Sequence, residues 1–401
     1  MYGALNNTYN NVMVALSTHS AAMTVLQEQV STGSRINRAS DDPSAAYRIL
    51  GLRTQQKDLD NYIDNLSSLI STLEFSTSIL DEMRDNLADA DVYIAQVSSG
   101  IYDEEARKRT AEAMNDILEH LVSLANTKHV DQYIFGGSTT GSAPYAVERD
   151  INGNITSVTY QGSLQNRNIE VAPGVKASTH YIGPNLFSSK ERSDPVFVGY
   201  TGAANGTGTS SVDGFVWLEI TQPGGPGTAY RLSIDDDPAS FTSVDVPPGS
   251  TNTPVVHVDT GEVLYVDTTN ITGTGYELVS VPGTHDVFNL LITIRDVLKN
   301  EKNLSEEHLD SIGDKLTSSL DEVTNLLLQD SVSVGSRIGF LDNLKESLTT
   351  MNYDTKDEMV SLEEADLTQI AIDLSRRELL YEMSLAVAGR VMSLSLLDFI
   401  Y

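Results

Sequence analysis

The sequence predicts an α+β protein: elongated, discontinuous helical coiled-coil or bundle layers formed by both chain ends, with an inserted β-rich outer domain. Three observations predict it. Apolar residues recur at helical and heptad spacing up to Asn126 and again after His285. Between these regions, short β-branched and aromatic runs are punctuated by Gly, Pro, Asp and Thr. One polar connector, Ser31-Thr32-Gly33-Ser34-Arg35-Ile36-Asn37-Arg38-Ala39-Ser40-Asp41-Asp42-Pro43, splits the opening helical signal in two.

In the first segment Tyr9, Leu16, Met23 and Val30 repeat every seven residues, with Val12 and Leu26 at the complementary spacing and His19 as the mismatch. Gly33 is placed to stop this helix, because a residue without Cβ enters the left-handed conformation freely. Asp42 is placed to cap the next one, and Pro43 fits its first position, where a missing N–H costs nothing. Arg35 is the first Lys or Arg of the chain and lies near Asp41 and Asp42, so a charge-assisted pair is expected to fix the joint. The alternative for the same residues is a solvated loop whose charges lie close together by chance.

From Pro43 the periodicity is long. Leu52, Leu59, Leu66, Leu73, Leu80, Leu87 and Ile94 hold one heptad position, and Tyr62, Leu69, Met83, Ala90 and Val97 fill most of the position three residues on. Ser98-Ser99-Gly100 ends this segment. Asp103-Glu104-Glu105 opens a third helix with negative charge at its positive end, and Met114, Ile117, Leu118, Leu121 and Leu124 form its apolar face.

Strand signals then take over. Tyr133-Ile134-Phe135-Gly136-Gly137 reads as a strand entering a turn, and Asn152-Gly153 as a hairpin turn between Tyr145–Val147 and Ile155–Tyr160. Further short strands are expected at 215–220, 230–234, 255–258 and 263–266. Helices return at His285-Asp286. Leu290, Leu291, Ile294, Val297 and Leu298 precede a stripe of Leu309, Ile312, Leu316, Leu320, Val323 and Leu327, which Gly335-Ser336-Arg337-Ile338 interrupts before Leu341, Leu344, Leu348 and Met351. After the polar Asn352-Tyr353-Asp354 comes a last helix with Leu367, Ile370, Leu374, Leu380, Met383, Val387, Val391 and Leu394. The expected division is a terminal helical layer (1–40 and 358–401), a helical rod layer (41–139 and 286–357) and a β-rich outer domain (140–285). Leu16, Met23, Leu26 and Val30 are expected to pack in a seam with Leu380, Met383, Val387, Val391 and Leu394.

The chemistry this composition allows is narrow. A net charge of −30 opposes binding to nucleic acid or an anionic membrane surface. Cysteine is absent, so there is no disulfide, thiol nucleophile or thiolate metal site. No His-Glu-x-x-His occurs, and the seven histidines lack a metal-ligand spacing. Asp235-Asp236-Asp237 reads as a solvated acidic turn rather than a calcium loop, and the glycine-rich 201–208 stretch as a flexible surface loop without the lysine of a phosphate loop. No catalytic, cofactor-binding or metal residue is expected, and an enzyme only if its site lacks a linear motif. The N-terminus has neither the basic region nor the apolar run of a cleavable signal, and no stretch approaches the ~20 apolar residues of a membrane span. Such a chain is cytoplasmic unless a machine that reads no such signal exports it.

Residues 30–37 and 39–43 resemble the N-terminal signature of the flagellin superfamily. Tyr133-Ile134-Phe135-Gly136-Gly137-Ser138 and the ending Ser395-Leu396-Leu397-Asp398-Phe399-Ile400-Tyr401 are similar to the members that join hook to filament rather than to the filament subunit itself. The resemblance implies a structural axial protein of the bacterial flagellum, exported unfolded by the type III apparatus, with its terminal helices lining a tube. Its implied partners are further copies in a helical lattice, hook-associated protein 1, flagellin, and an export chaperone with the type III export apparatus. Ser31, Thr32, Gly33, Ser34, Arg35, Ile36, Asn37, Asp41, Asp42 and Pro43 would then be the assembly joint, and the terminal helices would be loosely ordered until incorporation. A bulk flagellin and a cytoplasmic coiled-coil adaptor are the alternative readings.

Overall fold

The computed structural model describes residues 2–98, 104–225, 229–234, 244–246, 249–257 and 260–400; within these, the side chains of 2–6, 8, 9, 97, 98, 244, 245 and 391–400 lie outside the description. Helices α1 (Tyr2–Thr32), α2 (Pro43–Ser98) and α3 (Glu104–Ala125) come first. The central region holds β1 (Lys128–His129), β2 (Gln132–Tyr133), β3 (Tyr145–Arg149), β4 (Ile155–Tyr160), β5 (Asn168–Ala172), β6 (Val175–Ser178) and the short helix α4 (Gly183–Phe187). It continues with β7 (Val196–Val198), β8 (Ala204–Asn205), β9 (Gly214–Thr221), β10 (Tyr230–Ile234), β11 (Val244–Val246), β12 (Thr253–Val256), β13 (Val263–Asp267) and β14 (Gly275–Val281). Helices α5 (Val287–Lys299), α6 (Glu306–Glu363) and α7 (Leu367–Ile400) close the chain. Helical N- and C-terminal regions thus enclose a sheet-rich insertion. The chain divides into two compact units, one of residues 1–64 and 343–401, the other of 65–342.

In the second unit the sheets are antiparallel. Five strands run in the order β11-β10-β9-β14-β7 and three in the order β12-β13-β8. Strand β9 alternates as expected of a half-covered strand: Val216, Leu218 and Ile220 are buried, while Trp217 and Glu219 are only partly covered. The buried side joins Leu232, Ile234, Val255, Leu264, Val266, Val279 and Val281 in one apolar cluster drawn from both sheets. Three separate hairpins, β1–β2, β3–β4 and β5–β6, complete the strands. The Asn-Gly turn closes β3–β4 with Gly153 at φ +89°.

The heptad register of α2 is kept in three dimensions, since Leu66, Leu73, Leu80 and Leu87 are all fully buried, as are Met83 and Ala90. Met114, Leu118 and Leu121 of α3, Leu291 and Ile294 of α5, and Ile312, Val323 and Leu327 of α6 are equally enclosed. Helix α3 lies against α5. His120 of α3 bonds Asn86 of α2 at 3.1 Å, and Ser331 of α6 donates to Asp81 of α2 at 3.1 Å. His285 sits beneath the sheet, 1 % exposed, with its Nε2 near the hydroxyls of Ser280 (3.2 Å) and Ser319 (3.1 Å). Burial lowers its pKa to about 4, so the ring is neutral at pH 7.

Four expectations change. Helix α6 runs unbroken through Gly335-Ser336-Arg337-Ile338, because buried Val334 and Leu341 flank the glycine and Arg337 donates to the Ser178 carbonyl at 2.7 Å. Tertiary burial outweighs the ~1 kcal/mol helix cost of one glycine. The helix also continues through Asn352-Tyr353-Asp354, where Asn352 bonds Asp60 at 2.5 Å and Thr355 is buried, and Met351 is 46 % exposed rather than part of the stripe. The 201–208 stretch is not free: Thr201 is buried, its N–H and hydroxyl both reach the Glu277 carboxylate at 2.6 Å, and Ala204-Asn205 pair with β13. Strand β2 ends at Tyr133, and the Ile134 and Phe135 that follow are core residues, Phe135 meeting Phe187 edge-on at 5.0 Å. Residues 99, 100, 103, 235–238 and 258 lie outside the described residues.

Candidate assembly joint

The 31–43 segment is a built turn. Ser31 and Thr32 form the last turn of α1, and Thr32 returns its hydroxyl to the Glu28 carbonyl at 2.9 Å. Gly33 then adopts φ +69°, with its N–H on the Gln29 carbonyl at 2.9 Å, the left-handed closure expected of it. Asp41 Oδ2 accepts the amides of Asn37 (3.1 Å) and Arg38 (2.8 Å), which curls the loop around one carboxylate. Asp42 caps α2 through the Ala45 amide at 3.0 Å, and Pro43 occupies the first helical position. The Ala45 amide and the neighbouring Arg35 guanidinium hold the Asp42 carboxyl below the usual carboxylate range. Arg35 pairs with Asp42 at 3.3 Å. Ile36 and Asn37 are half-buried, Asn37 donating to the Ser34 carbonyl at 3.2 Å.

A second helix break, which the sequence does not announce, completes this turn. Helices α6 and α7 are separated by Glu364-Ala365-Asp366, and Asp366 caps α7 by accepting the amides of Thr368 and Gln369, each at 3.0 Å. The two breaks are stitched as a short antiparallel bridge: the Arg35 amide donates to the Glu363 carbonyl at 2.7 Å and the Ala365 amide to the Gly33 carbonyl at 3.1 Å. Ser34 Oγ reaches the Glu363 carbonyl at 3.2 Å, and Arg35 Nη2 the Leu362 carbonyl at 3.2 Å. Arg53 pairs with the Glu363 carboxylate at 2.6 Å, and Arg48 with Glu358 at 2.8 Å. The available signal was Asp366 followed by Thr368 and Gln369, a capping pattern hidden in an acidic run.

The terminal helices pair with each other. Val12, Leu16, His19, Met23 and Leu26 are the half-covered stripe of α1, and Leu374, Arg377, Leu380, Tyr381 and Ser384 that of α7. His19, the mismatch in the heptad, faces Arg377, ring nitrogen to guanidinium at 3.4 Å. The Ser34–Glu364 and His19–Arg377 pairs make the two helices antiparallel. Val30, Met383 and Val387 stand outside this intramolecular seam, at 45 %, 58 % and 49 % exposure. The stripe that continues from Ile370 and Leu374 runs through Tyr381 and Ser384, so the more apolar neighbours at 383 and 387 fall on its flank. The side chains of Val391 and Leu394 lie outside the described residues.

Among the described residues, no group of three or more His, Asp or Glu side chains is arranged to hold a metal, and no helix is long and apolar enough to cross a membrane.

Residues 4–140 match the family model of the bacterial flagellin N-terminal helical region. The flagellar hook-associated protein 3 of Escherichia coli is 28 % identical over 142 residues, 35 % of this chain and 45 % of that protein. The one from Salmonella typhimurium is 28 % identical over 155 residues, 38 % of this chain and 49 % of that protein. The chain therefore spans about half the length of the curated relatives it matches. In fold, it is similar to the crystal structure of flagellar hook associated protein-3 from Legionella pneumophila, with a TM-score of 0.53 and 17 % identity over 78 % of this chain and 98 % of that one.

Proposed function

We propose that this chain, whose residues 4–140 carry a flagellin N-terminal helical region, is a structural subunit of the extracellular bacterial flagellum, acting at the hook–filament junction as an adaptor layer between hook-associated protein 1 and the filament. It is secreted rather than catalytic in this reading. The observation that carries it is the bridge between the two helix breaks, which joins the first and last helices into one pair while leaving apolar side chains outward. Met13, Val14 and Val25 on α1 and Ile372, Leu379, Met383, Leu385 and Val387 on α7 are exposed. Scattered apolar residues are ordinary on a surface, but a set this dense along one helix pair suits burial against neighbouring copies.

Heterologous contacts that do not close into a ring generate a helical lattice, the geometry of a tube wall. In that lattice 1–40 and 358–401 form the inner layer, 41–139 and 286–357 the rod layer, and 140–285 the outer domain. The joint sets the angle at which the inner layer leaves the rod. Export by a type III apparatus with its chaperone, and contacts to flagellin, complete the set of partners.

The test is deletion of the gene, with hooks scored by electron microscopy and flagellin by immunoblot of the culture medium. Intact hooks without filaments, and flagellin shed into the medium, are expected. Persisting filaments overturn the junction reading. Loss of the major filament band with no shed flagellin identifies a bulk flagellin instead, the reading that the shared N-terminal region also permits. Protein found only inside cells favours a cytoplasmic coiled-coil adaptor.

A further inference from the structure

A cavity of about 470 Å³ lies between the connection from α5 to α6 and strands β9 and β14. Its wall holds Trp217, the only tryptophan of the chain, beside Tyr276. The two rings meet edge to face with centroids 6.5 Å apart, and both are only partly covered. The ammonium of Lys302 lies over both rings, 5.0 Å from the Trp217 ring centre and 4.6 Å from that of Tyr276, and covers one face of the pair.

The same cavity is reached by a buried cation with donors to spare. The Arg295 side chain is 3 % exposed; its Nε donates to Asp296 at 2.8 Å, and its Nη1 to Asn115 at 3.1 Å and to the Ile155 carbonyl. Its Nη2 meets no acceptor among the described residues. A guanidinium this deeply placed normally has its donors matched. Lys299, half-buried on the same wall, forms no ion pair among the described residues.

The carboxylates nearby are already engaged. Asp296 is taken by Arg295, and Asp150 by the amides of Asn152 and Asn154, each at 2.8 Å. In a chain of net charge −30, this leaves the pocket with the spare Nη2 donor of a paired Arg295 and the ammonium of Lys299. Glu301, exposed at the rim, and the second carboxylate oxygen of Asp296 are the acidic acceptors still open among the described lining residues.

We propose that this cavity binds an acidic saccharide, with the carbon–hydrogen face of the sugar ring on Trp217, its carboxylate on Arg295 Nη2 and Lys299, and a ring hydroxyl donating to Glu301. A carboxylate matches the geometry of arginine donors. A bare anion would leave the part of Trp217 that Lys302 does not cover in water, whereas a ring with one charged edge meets both the aromatic and the polar lining of the pocket.

Trp217 is its own reporter. The full-length protein is titrated with glucuronate, glucose and acetate, followed by tryptophan emission and by calorimetry. Glucuronate is expected to saturate both signals, with glucose and acetate each at least ~10-fold weaker, since a charge-assisted bond or a ring contact is lost. Lys299→Ala should weaken glucuronate binding about 10-fold while the thermal melt is unchanged; Arg295→Met, read the same way, should weaken it further if its melt remains cooperative. No saturable response in either signal, acetate binding as tightly as glucuronate, or Lys299→Ala binding as tightly as the parent chain would each overturn the proposal.

Discussion

The amide of Arg35 donates to the carbonyl of Glu363 across 2.7 Å, so a residue in the first helix break is held by the backbone of the last one. The side chain of Arg35 then reaches the adjacent Leu362 carbonyl, and that of Glu363 reaches Arg53. Backbone pairing fixes the register of the two breaks, and the charged side chains fasten it.

Gly33→Val should damage the joint through its backbone alone. A Cβ at Gly33 meets nothing within 4 Å, but φ is +69°, which costs an L residue roughly 1–2 kcal/mol and a β-branched one more. Swimming and filament assembly are expected to fail while the melting transition of the sheet-rich unit is unchanged. Gly33→Asn, which tolerates this conformation, should retain most of both. Equal loss in the two variants would locate the defect in something other than φ.

Arg35→Glu removes the contacts to Asp42 and Leu362 and places a third carboxylate beside Asp41 and Asp42. Assembly should fall sharply with little change in global stability. Asp42 carries a pH signature as well: its folded pKa is lowered, so its stabilisation is complete at neutral pH and is lost as pH falls through that lowered value. Amide spectra of residues 33–46 should therefore hold steady from pH 7 to about 5 and change below about 4. A transition near pH 6 would contradict the capping role.

Helices α1 and α7 should exchange their amides faster than α3. No described side chain of α1 is fully buried, and in α7 only Ile370 is, whereas α3 buries nine residues. Hydrogen exchange of the free protein is expected to show weak protection over 2–32 and 371–400 and strong protection over 106–125. Strong protection at both ends would sink the idea that the terminal pair gains its stability on incorporation.

Asp330 gives the clearest pH test. Its Oδ2 is buried without a partner among the described residues, and burial pushes the carboxyl up to about 6, against the pull of Lys190. A folded pKa above the unfolded one means stability falls as pH rises from about 4 to about 6. Because the side chain is only half-buried, solvent screening limits the effect to ~1 kcal/mol. Asp330→Asn should raise the urea midpoint at pH 7.5 and leave it nearly unchanged at pH 4.5. The reverse order would show that the carboxylate is matched in solution.

Much of the fold was legible because the elements obey their own periods. The leucines of α2, the stop at Gly33, the cap at Asp42 and the Asn-Gly turn all lie where local chemistry places them. What escaped was tertiary. Nothing near Gly335 says that buried Val334 and Leu341 will carry a helix across it, and nothing in the 201–208 stretch reveals that Thr201 will find Glu277. The joint was half legible: its N-terminal strand announces itself through glycine and proline, but its partner is an Asp366 cap inside an acidic run. The seam was misread at Met383 and Val387 because apolarity points to them, whereas helical phase from Ile370 points to their neighbours.

The bridge has a further consequence for synthesis. The carbonyl of Gly33 and the amide of Arg35 are satisfied by Ala365 and Glu363, residues made long after them, so a chain cut short before about residue 360 would contain the whole joint sequence yet lack its shape. Whether a subunit is complete is thereby written into the geometry of its opening turn. A lattice that selects for that geometry would discard truncated subunits without any separate proofreading factor.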